Sequence, residues 1–202
     1  MMRLRSAGAS PFARKVAVFA SEAGLSERLA LVATDYDDPK SGLWEENPLG
    51  RVPTLVLEDG GTLAGSSVIC AYLDSLYGGA RLIPENPEAR WRALHGEALS
   101  DGMCEAAIAI QRELARPDAL RMAGWIERQR AKVSRTVKWL DREWEFPDET
   151  ARIDLIALAC TLGWMEYRLK PELGDWRQAG PKLSTWFDRF SERPSMRDTR
   201  PG

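Results

Sequence analysis

The chain has 202 residues, enough for one large domain or two small ones, and its 44% hydrophobic content is that of an ordinary soluble globular protein. Lys and Arg number 28 against 30 Asp and Glu, a net charge of −2, so neither nucleic acid nor an anionic membrane is expected as a partner. The longest nearly uncharged run, Leu155 to Met165, is too short to span a bilayer, and no continuous apolar core follows Arg3 and Arg5 as in a signal peptide. Cys70, Cys104 and Cys160 lie far apart, without a CxxC pair or a metal-ligand spacing. They read as packed thiols in a reducing cytoplasm, and no metal site is expected. The one histidine, His95, has no partner in the sequence and reads as a packing or surface residue rather than a general base.

In chain order, Met2 to Ser6 reads as a short strand. Ser10-Pro11 then opens a helix, with a hydroxyl at the N-cap and a preset φ at the first helical position. Phe12, Val16, Phe19 and Ala23 recur at helical spacing, and Gly24 ends the helix. Ser10 therefore reads as a cap, and the same hydroxyl at the positive end of a helix would stabilise an anion such as a thiolate. Leu29 to Ala33 reads as a second strand, Asp35 to Gly42 as a polar connection, and Leu43 to Glu46 as a helical turn.

The stretch from Asn47 to Leu57 organises what surrounds it. Thr54 to Leu57 is an apolar strand opened by Pro53, which cannot donate to a ladder and so belongs at an edge or a special turn. A cis Val52–Pro53 bond would turn the N–H and C=O of Val52 outward, where an extended peptide can pair with them. Glu58-Asp59-Gly60-Gly61 makes a hairpin turn to a short strand at Thr62 to Ala64. Ser66 or Ser67 then caps a helix whose Val68, Ile69, Tyr72, Leu73 and Leu76 form an apolar face ending at Gly78-Gly79.

Beyond a Gly/Pro-rich linker the strand pattern disappears. Leu99, Met103, Ala106, Ile110 and Leu114 keep helical spacing up to Pro117, as do Val133, Val137, Leu140 and Trp144 up to Pro147. A third helix, from Leu155 through Leu169, is apolar nearly all round and so central to its domain. Pro181 opens a last helix bearing Leu183, Trp186, Phe187 and Phe190. The expected architecture is α/β plus all-α, divided as residues 1–78, a linker over 79–87, and an all-helical part over 88–202.

Three motifs in order, Ser10-Pro11-Phe12-Ala13-Arg14-Lys15, Asn47-Pro48-Leu49-Gly50-Arg51-Val52-Pro53-Thr54-Leu55 and Gly65-Ser66-Ser67-Val68-Ile69-Cys70-Ala71-Tyr72-Leu73, resemble those of a cytosolic glutathione S-transferase. The tail from Leu183 to Ser195 resembles that family's closing helix, and the likeness is nearest to bacterial members with a serine in the first motif. The resemblance implies a thioredoxin-like N-terminal domain that holds glutathione and a helical domain that shapes the second-substrate pocket. It implies a cytoplasmic homodimer using glutathione as co-substrate. The reaction would be attack of the glutathione thiolate on a small, mostly apolar electrophile, a detoxification chemistry.

By the same resemblance, Ser10 matches the catalytic position, beside Phe12. A serine hydroxyl does not ionise near neutral pH, but it can donate to the thiolate and lower the thiol pKa. Val52 matches the residue whose backbone pairs with the cysteinyl unit, and Pro53 matches the cis-proline. Ser66, with Ser67, matches the hydroxyl that meets the γ-glutamyl carboxylate at a helix start, and Lys40 and Arg51 are partners for the glycyl carboxylate. Helix position alone puts Met103, Cys104, Arg112 and Met165 at the acceptor pocket. Two positions depart from the pattern. Gly65 stands where an acid usually meets the glutathione ammonium, and Ala151, after Thr150, stands where a Ser or Thr usually caps the helix of Asp154. Asp101 is the carboxylate expected to replace the missing acid, reaching across a dimer. Two other readings stay open: a non-catalytic ligand carrier or protein-interaction module, and a glutathione-dependent isomerase or dehalogenase.

Overall fold

The computed structural model describes residues 1–79, 81–147, 151–173 and 175–200. Its first half is a four-stranded sheet with strands β1 (Met2–Ser6), β2 (Leu29–Ala33), β3 (Thr54–Val56) and β4 (Thr62–Ala64) in the spatial order β2-β1-β3-β4. Strand β2 runs parallel to β1, pairing Ala33 with Ser6, whereas β3 is antiparallel to β1 and pairs Thr54 with Arg5. Strand β4 returns antiparallel to β3 and pairs Ala64 with Thr54. The register brings the end of β1, the end of β2, the start of β3 and the end of β4 to one edge of the sheet.

Helix α1 (Pro11–Glu22) begins as the Ser-Pro pair predicts: the Ser10 Oγ accepts from the Ala13 N–H at 3.2 Å. After the helical turn α2 (Leu43–Glu46) the chain enters β3 through a cis Val52–Pro53 bond. Helix α3 (Ser66–Leu76) corrects one detail, because its N-cap is Gly65 at φ +88°, with no side-chain cap, and Ser66 is already helical. A backbone at that φ favours glycine, which has no Cβ to clash.

The second half holds α4 (Pro87–Leu114), α5 (Ala123–Glu143), α6 (Ile153–Leu173), α7 (Trp176–Ala179), α8 (Pro181–Phe190) and α9 (Pro194–Asp198). Every residue from Ile153 to Leu162 is buried, so α6 is central, packed against α4, α1 and α8. This is a thioredoxin-like sheet domain followed by a helical domain. The short helices α7 and α9 carry no sequence signal beyond their flanking Asp175 cap and Pro194, and the periodicity missed them. Within the expected linker, Leu82 and Ile83 are tightly held. The buried Asp74 carboxylate accepts from the Leu82 and Ile83 N–H groups at 3.0 and 3.3 Å, and the Leu82 carbonyl accepts from the Ile153 N–H at 3.1 Å.

Thr150, one residue before the Ala151 that departs from the capping pattern, lies outside the described residues. What anchors the start of that helix is Asp154, 1% exposed, which accepts from Trp144 Nε1 at 2.9 Å and from the Arg152 guanidinium at 2.9 and 2.8 Å. His95 packs edge-on against Trp139 and Trp144, with ring centroids 6.0 Å from each. Among the described residues, no helix is long and apolar enough to cross a membrane.

Candidate functional site

The strand register assembles the site. Ser10 lies just beyond β1, Val52 and Pro53 just before β3, and Gly65 with Ser66 just after β4, all at one sheet edge. In capping α1, Ser10 uses a lone pair of Oγ, and its O–H, without an acceptor among the described residues, can donate at the positive end of the helix. Phe12, half-buried, sits in the first turn of α1.

The loop before β3 is built by Asn47 and Thr54, which the sequence reading placed in its second motif without a role of their own. Asn47, 2% exposed, donates from Nδ2 to the Arg51 carbonyl at 3.0 Å and to Thr54 Oγ1 at 2.9 Å, while its Oδ1 accepts from the Leu49 N–H at 3.0 Å. Thr54 Oγ1 donates to the same Arg51 carbonyl at 2.8 Å. Val52 is thus held between two fixed neighbours. An Asn four residues ahead of an Arg-Val-Pro turn was the signal available. Lys40, in a 3₁₀ turn over Pro39–Ser41, and Arg51 are both exposed, and neither side chain makes an ion pair among the described residues.

At the start of α3, Ser66 is buried and Ser67 exposed. Ser67 Oγ donates to Asp101 Oδ2 at 3.3 Å, which brings Asp101 from α4 beside the α3 start of its own chain. Asp101 is not a free carboxylate, however. Lys15 of α1, 1% exposed, donates to its two oxygens at 2.9 and 2.6 Å and to Glu97 Oε1 at 2.9 Å, with Ser67 Oγ 3.5 Å away. Burial would push Lys15 down, but Asp101 and Glu97 together raise it above its ordinary value. Burial, with repulsion from Glu97, holds Asp101 above the usual carboxylate range despite Lys15.

The sequence reading gave no role to Lys15, which it named only within the first motif, and did not name Glu97. The signal was present: a lysine adjoining the run Val16-Ala17-Val18-Phe19-Ala20, which is apolar all round its turn, needs a buried partner.

The acceptor-pocket residues are scattered. Met103 (2%) and Cys104 (0%) are buried in the core of α4, and Arg112 is exposed on its last turn. Met165 lines a pocket of about 270 Å³ with Leu169, Leu173, Trp176 and Arg177, between α6 and α7. All three cysteines are free, buried thiols; burial raises each, Cys160 to about 11. Among the described residues no three His, Cys, Asp or Glu side chains converge as metal ligands.

Known proteins match this arrangement along its whole length. A model of the glutathione S-transferase N-terminal domain matches residues 9–76, and one of the C-terminal domain matches residues 123–189. A glutathione transferase family member from Pseudomonas fluorescens Pf-5, solved with bound glutathione, superposes with a TM-score of 0.90 at 37% identity, covering 100% of both chains. The chain belongs to the glutathione S-transferase family. A glutathione S-transferase from Methylobacillus flagellatus KT, solved with glutathione bound, superposes with a TM-score of 0.92 at 34% identity over 100% of both chains. The uncharacterized GST-like protein YibF of Escherichia coli K12 is 29% identical over 204 residues, 99% of this chain and 98% of its own. In family terms, the α1 start, the Val52 loop and the α3 start are the parts of the N-terminal domain at the common sheet edge; α6 of the C-terminal domain packs against α1, and α4 meets it through Lys15.

Proposed function

We propose that this family member is a serine-type glutathione transferase, binding glutathione along the sheet edge and conjugating its sulfur to a small, mostly apolar electrophile. The observation that carries the reading is the Ser10 hydroxyl, whose lone pair caps α1 while its proton has no acceptor among the described residues. A thiolate at that helix start is stabilised by the O–H and by the first-turn N–H groups, which lowers the thiol pKa and raises the thiolate population near neutral pH. Attack on an electrophilic carbon follows, with the acceptor oriented by the helical domain. The glutathione seen in two similar structures supports the choice of ligand.

The roles of the other residues follow from the family likeness and their places at the sheet edge. Backbone groups of Val52 pair with the cysteinyl unit, Ser66 and Ser67 receive the γ-glutamyl carboxylate, and Lys40 and Arg51 receive the glycyl carboxylate. The protein is a cytoplasmic homodimer in this reading, and the exposed Val68 on α3 and Trp91 on α4 supply apolar surface for it. Gly65, in place of an acid, favours a second reading as a ligand carrier without catalysis.

Calorimetry with reduced glutathione, followed by a panel of electrophiles, separates the two. Binding plus turnover that falls in Ser10→Ala supports the transferase; binding without turnover of any electrophile supports the carrier. Sedimentation of a monomer at micromolar concentration would remove the homodimer.

A further inference from the structure

Charge on this chain is segregated. Helix α5 carries Arg128, Arg130, Lys132, Arg135, Lys138 and Arg142 against Glu127, Asp141 and Glu143, a surplus of +3, whereas the whole chain is −2 and the remainder therefore −5. The three acids are all engaged. Glu127 accepts from Arg130 at 2.6 Å, Glu143 pairs with Arg142, and Asp141 accepts from the Leu183 N–H at 2.8 Å. That leaves Arg128, Lys132, Arg135 and Lys138, all exposed and none with an ion pair among the described residues. Their spacing of four, three and three residues sets them on one face, along about 15 Å of helix axis. The other face, with Ile126, Gln129, Val133, Val137 and Leu140, is buried, and α5 packs on α4, α7 and α8. The row of cations is thus held outward by a rigid element.

One end of the row is apolar. Leu120 closes a 3₁₀ turn over Asp118–Leu120, Met122 is the N-cap of α5, and Trp125 stands in its first turn. They are 57%, 63% and 42% exposed. A single exposed apolar side chain is ordinary, but three within six residues make a patch. Trp125 precedes Arg128 by three residues and so lies beside it on the same face.

We propose that the outer face of α5 is a docking surface for an anionic lipid bilayer. The four cations meet the headgroups, and Leu120, Met122 and Trp125 enter the boundary between headgroups and acyl chains. Each Lys or Arg held near an anionic bilayer raises partitioning about fivefold, and Trp favours that same boundary. The net charge of −2, from which no such partner is expected, averages over the segregation. Two other occupants use only part of the surface. A nucleic acid would take the cations and could stack a base on Trp125, but it gains nothing from Leu120 and Met122. A second copy docked by the same face would set one row of cations against the other. The proposal goes beyond the transferase reading and does not depend on it.

The test is co-sedimentation of the full-length protein with vesicles at about 50 mM salt, where surface charges are weakly screened. One set is phosphatidylcholine alone, and the other holds about three parts phosphatidylcholine to one of phosphatidylserine. Wild type is expected to sediment with the mixed vesicles only, and about 0.5 M salt to release it. Lys132→Gln with Arg135→Gln is expected to lower the partition coefficient about 25-fold. Leu120→Ser with Met122→Ser is expected to lower it about fivefold or more without changing the salt dependence. All four side chains are exposed, so the urea midpoints of both variants should match wild type.

Wild type that stays in solution with the mixed vesicles, or sediments equally with both sets, overturns the proposal. Partitioning unchanged in the Lys132→Gln, Arg135→Gln variant overturns it too. Tighter binding to a single-stranded oligonucleotide at the same salt, indifferent to the Leu120→Ser, Met122→Ser pair, gives the face to nucleic acid instead. Self-association that salt weakens and the Lys132→Gln, Arg135→Gln variant abolishes gives it to a second copy, with the same consequence.

Discussion

At its C-terminal end α1 offers Glu22 to Arg193 and Ser195, and near its middle it offers Lys15 to Glu97 and Asp101. Both contacts tie the sheet domain to the helical domain, yet they are built differently. Glu22 accepts from Arg193 Nε at 2.8 Å and Arg193 Nη2 at 2.7 Å, and from the Ser195 hydroxyl, so one carboxylate meets one guanidinium. Beside it, Arg14 donates to Thr199 Oγ1 at 3.3 Å and to the Met196 carbonyl at 3.0 Å, and the bare Gly163 leaves room for that guanidinium. At the other contact one ammonium serves two acids. A balanced tie is what a fold needs. The unbalanced one lies next to the α3 start.

The pH dependence separates the two ties. Burial alone would raise Glu22, but the bonds from Arg193 and Ser195 hold it below the usual carboxylate range. Its contribution to stability is thus present above the ordinary Glu range and is lost as pH falls through the depressed value. Asp101 has the opposite sign, because its folded value is raised. It favours the folded state fully below the ordinary Asp range, and that contribution is lost as pH rises through the folded value.

The largest expected effect comes from breaking the unbalanced tie. Lys15→Met leaves two buried carboxylates without a cation and should cost about 3–5 kcal/mol of unfolding free energy at pH 7. Urea unfolding would show this as a lower midpoint at unchanged slope. A loss under about 1 kcal/mol would mean the acids are solvated or protonated, and the cluster would no longer be a buried ionic tie.

Much of this molecule can be read from its sequence, and the boundary of what can is physical. Ser10-Pro11 announces a helix start because capping and φ restriction are local, and the Thr54 strand and the apolar run of α6 are visible as patterns for the same reason. The cis bond at Pro53 was an expectation the structure bears out. The Lys15 partners could not be read, since Glu97 and Asp101 lie 82 and 86 residues away and only packing brings them to α1. For Asp101 the sequence suggested a role at the ammonium but not Lys15 as its neighbour. Met103 and Cys104 were placed at a pocket on helix position alone, and burial on α4 puts them in the core.

Ser10→Ala touches α1 at its third point, its start, and sharpens the contrast by acting on chemistry more than on docking. Loss of the cap should cost about 1 kcal/mol of stability. Loss of the donor to a thiolate should cost about 1.5–3 kcal/mol in kcat/KM for conjugation at neutral pH, with glutathione affinity nearly intact. An unchanged pH–rate profile would transfer thiol activation to the first-turn N–H groups. A smaller effect, on stability only, is expected of Glu22→Gln: a loss of about 1.5 kcal/mol at pH 7 that shrinks as pH falls through the range in which Glu22 protonates. A loss equally large at every pH would mean shape rather than charge holds α9 on α1.

The smallest change in stability should come from Asp101→Asn, and it is the most informative. The asparagine keeps the size of the side chain and a carbonyl oxygen for Lys15 and Ser67, while Lys15 keeps Glu97 as a charged partner at 2.9 Å. The variant turns the two-to-one cluster into a one-to-one pair like that of Glu22. Removing a buried, self-repelling charge offsets the weakened bond, so stability at pH 7 should stay within about 0.5 kcal/mol of wild type or rise slightly. Glutathione affinity should fall in the same protein. An acid returned at position 65 is not expected to restore it, because the Gly65 backbone at φ +88° strains any side chain although the space around it is open. A variant that is as stable as wild type and binds glutathione as tightly would show that Asp101 serves neither the fold nor the ligand. A variant several kcal/mol less stable would make the Lys15 cluster a structural tie of the same kind as Glu22, and the difference between the two contacts of α1 would disappear.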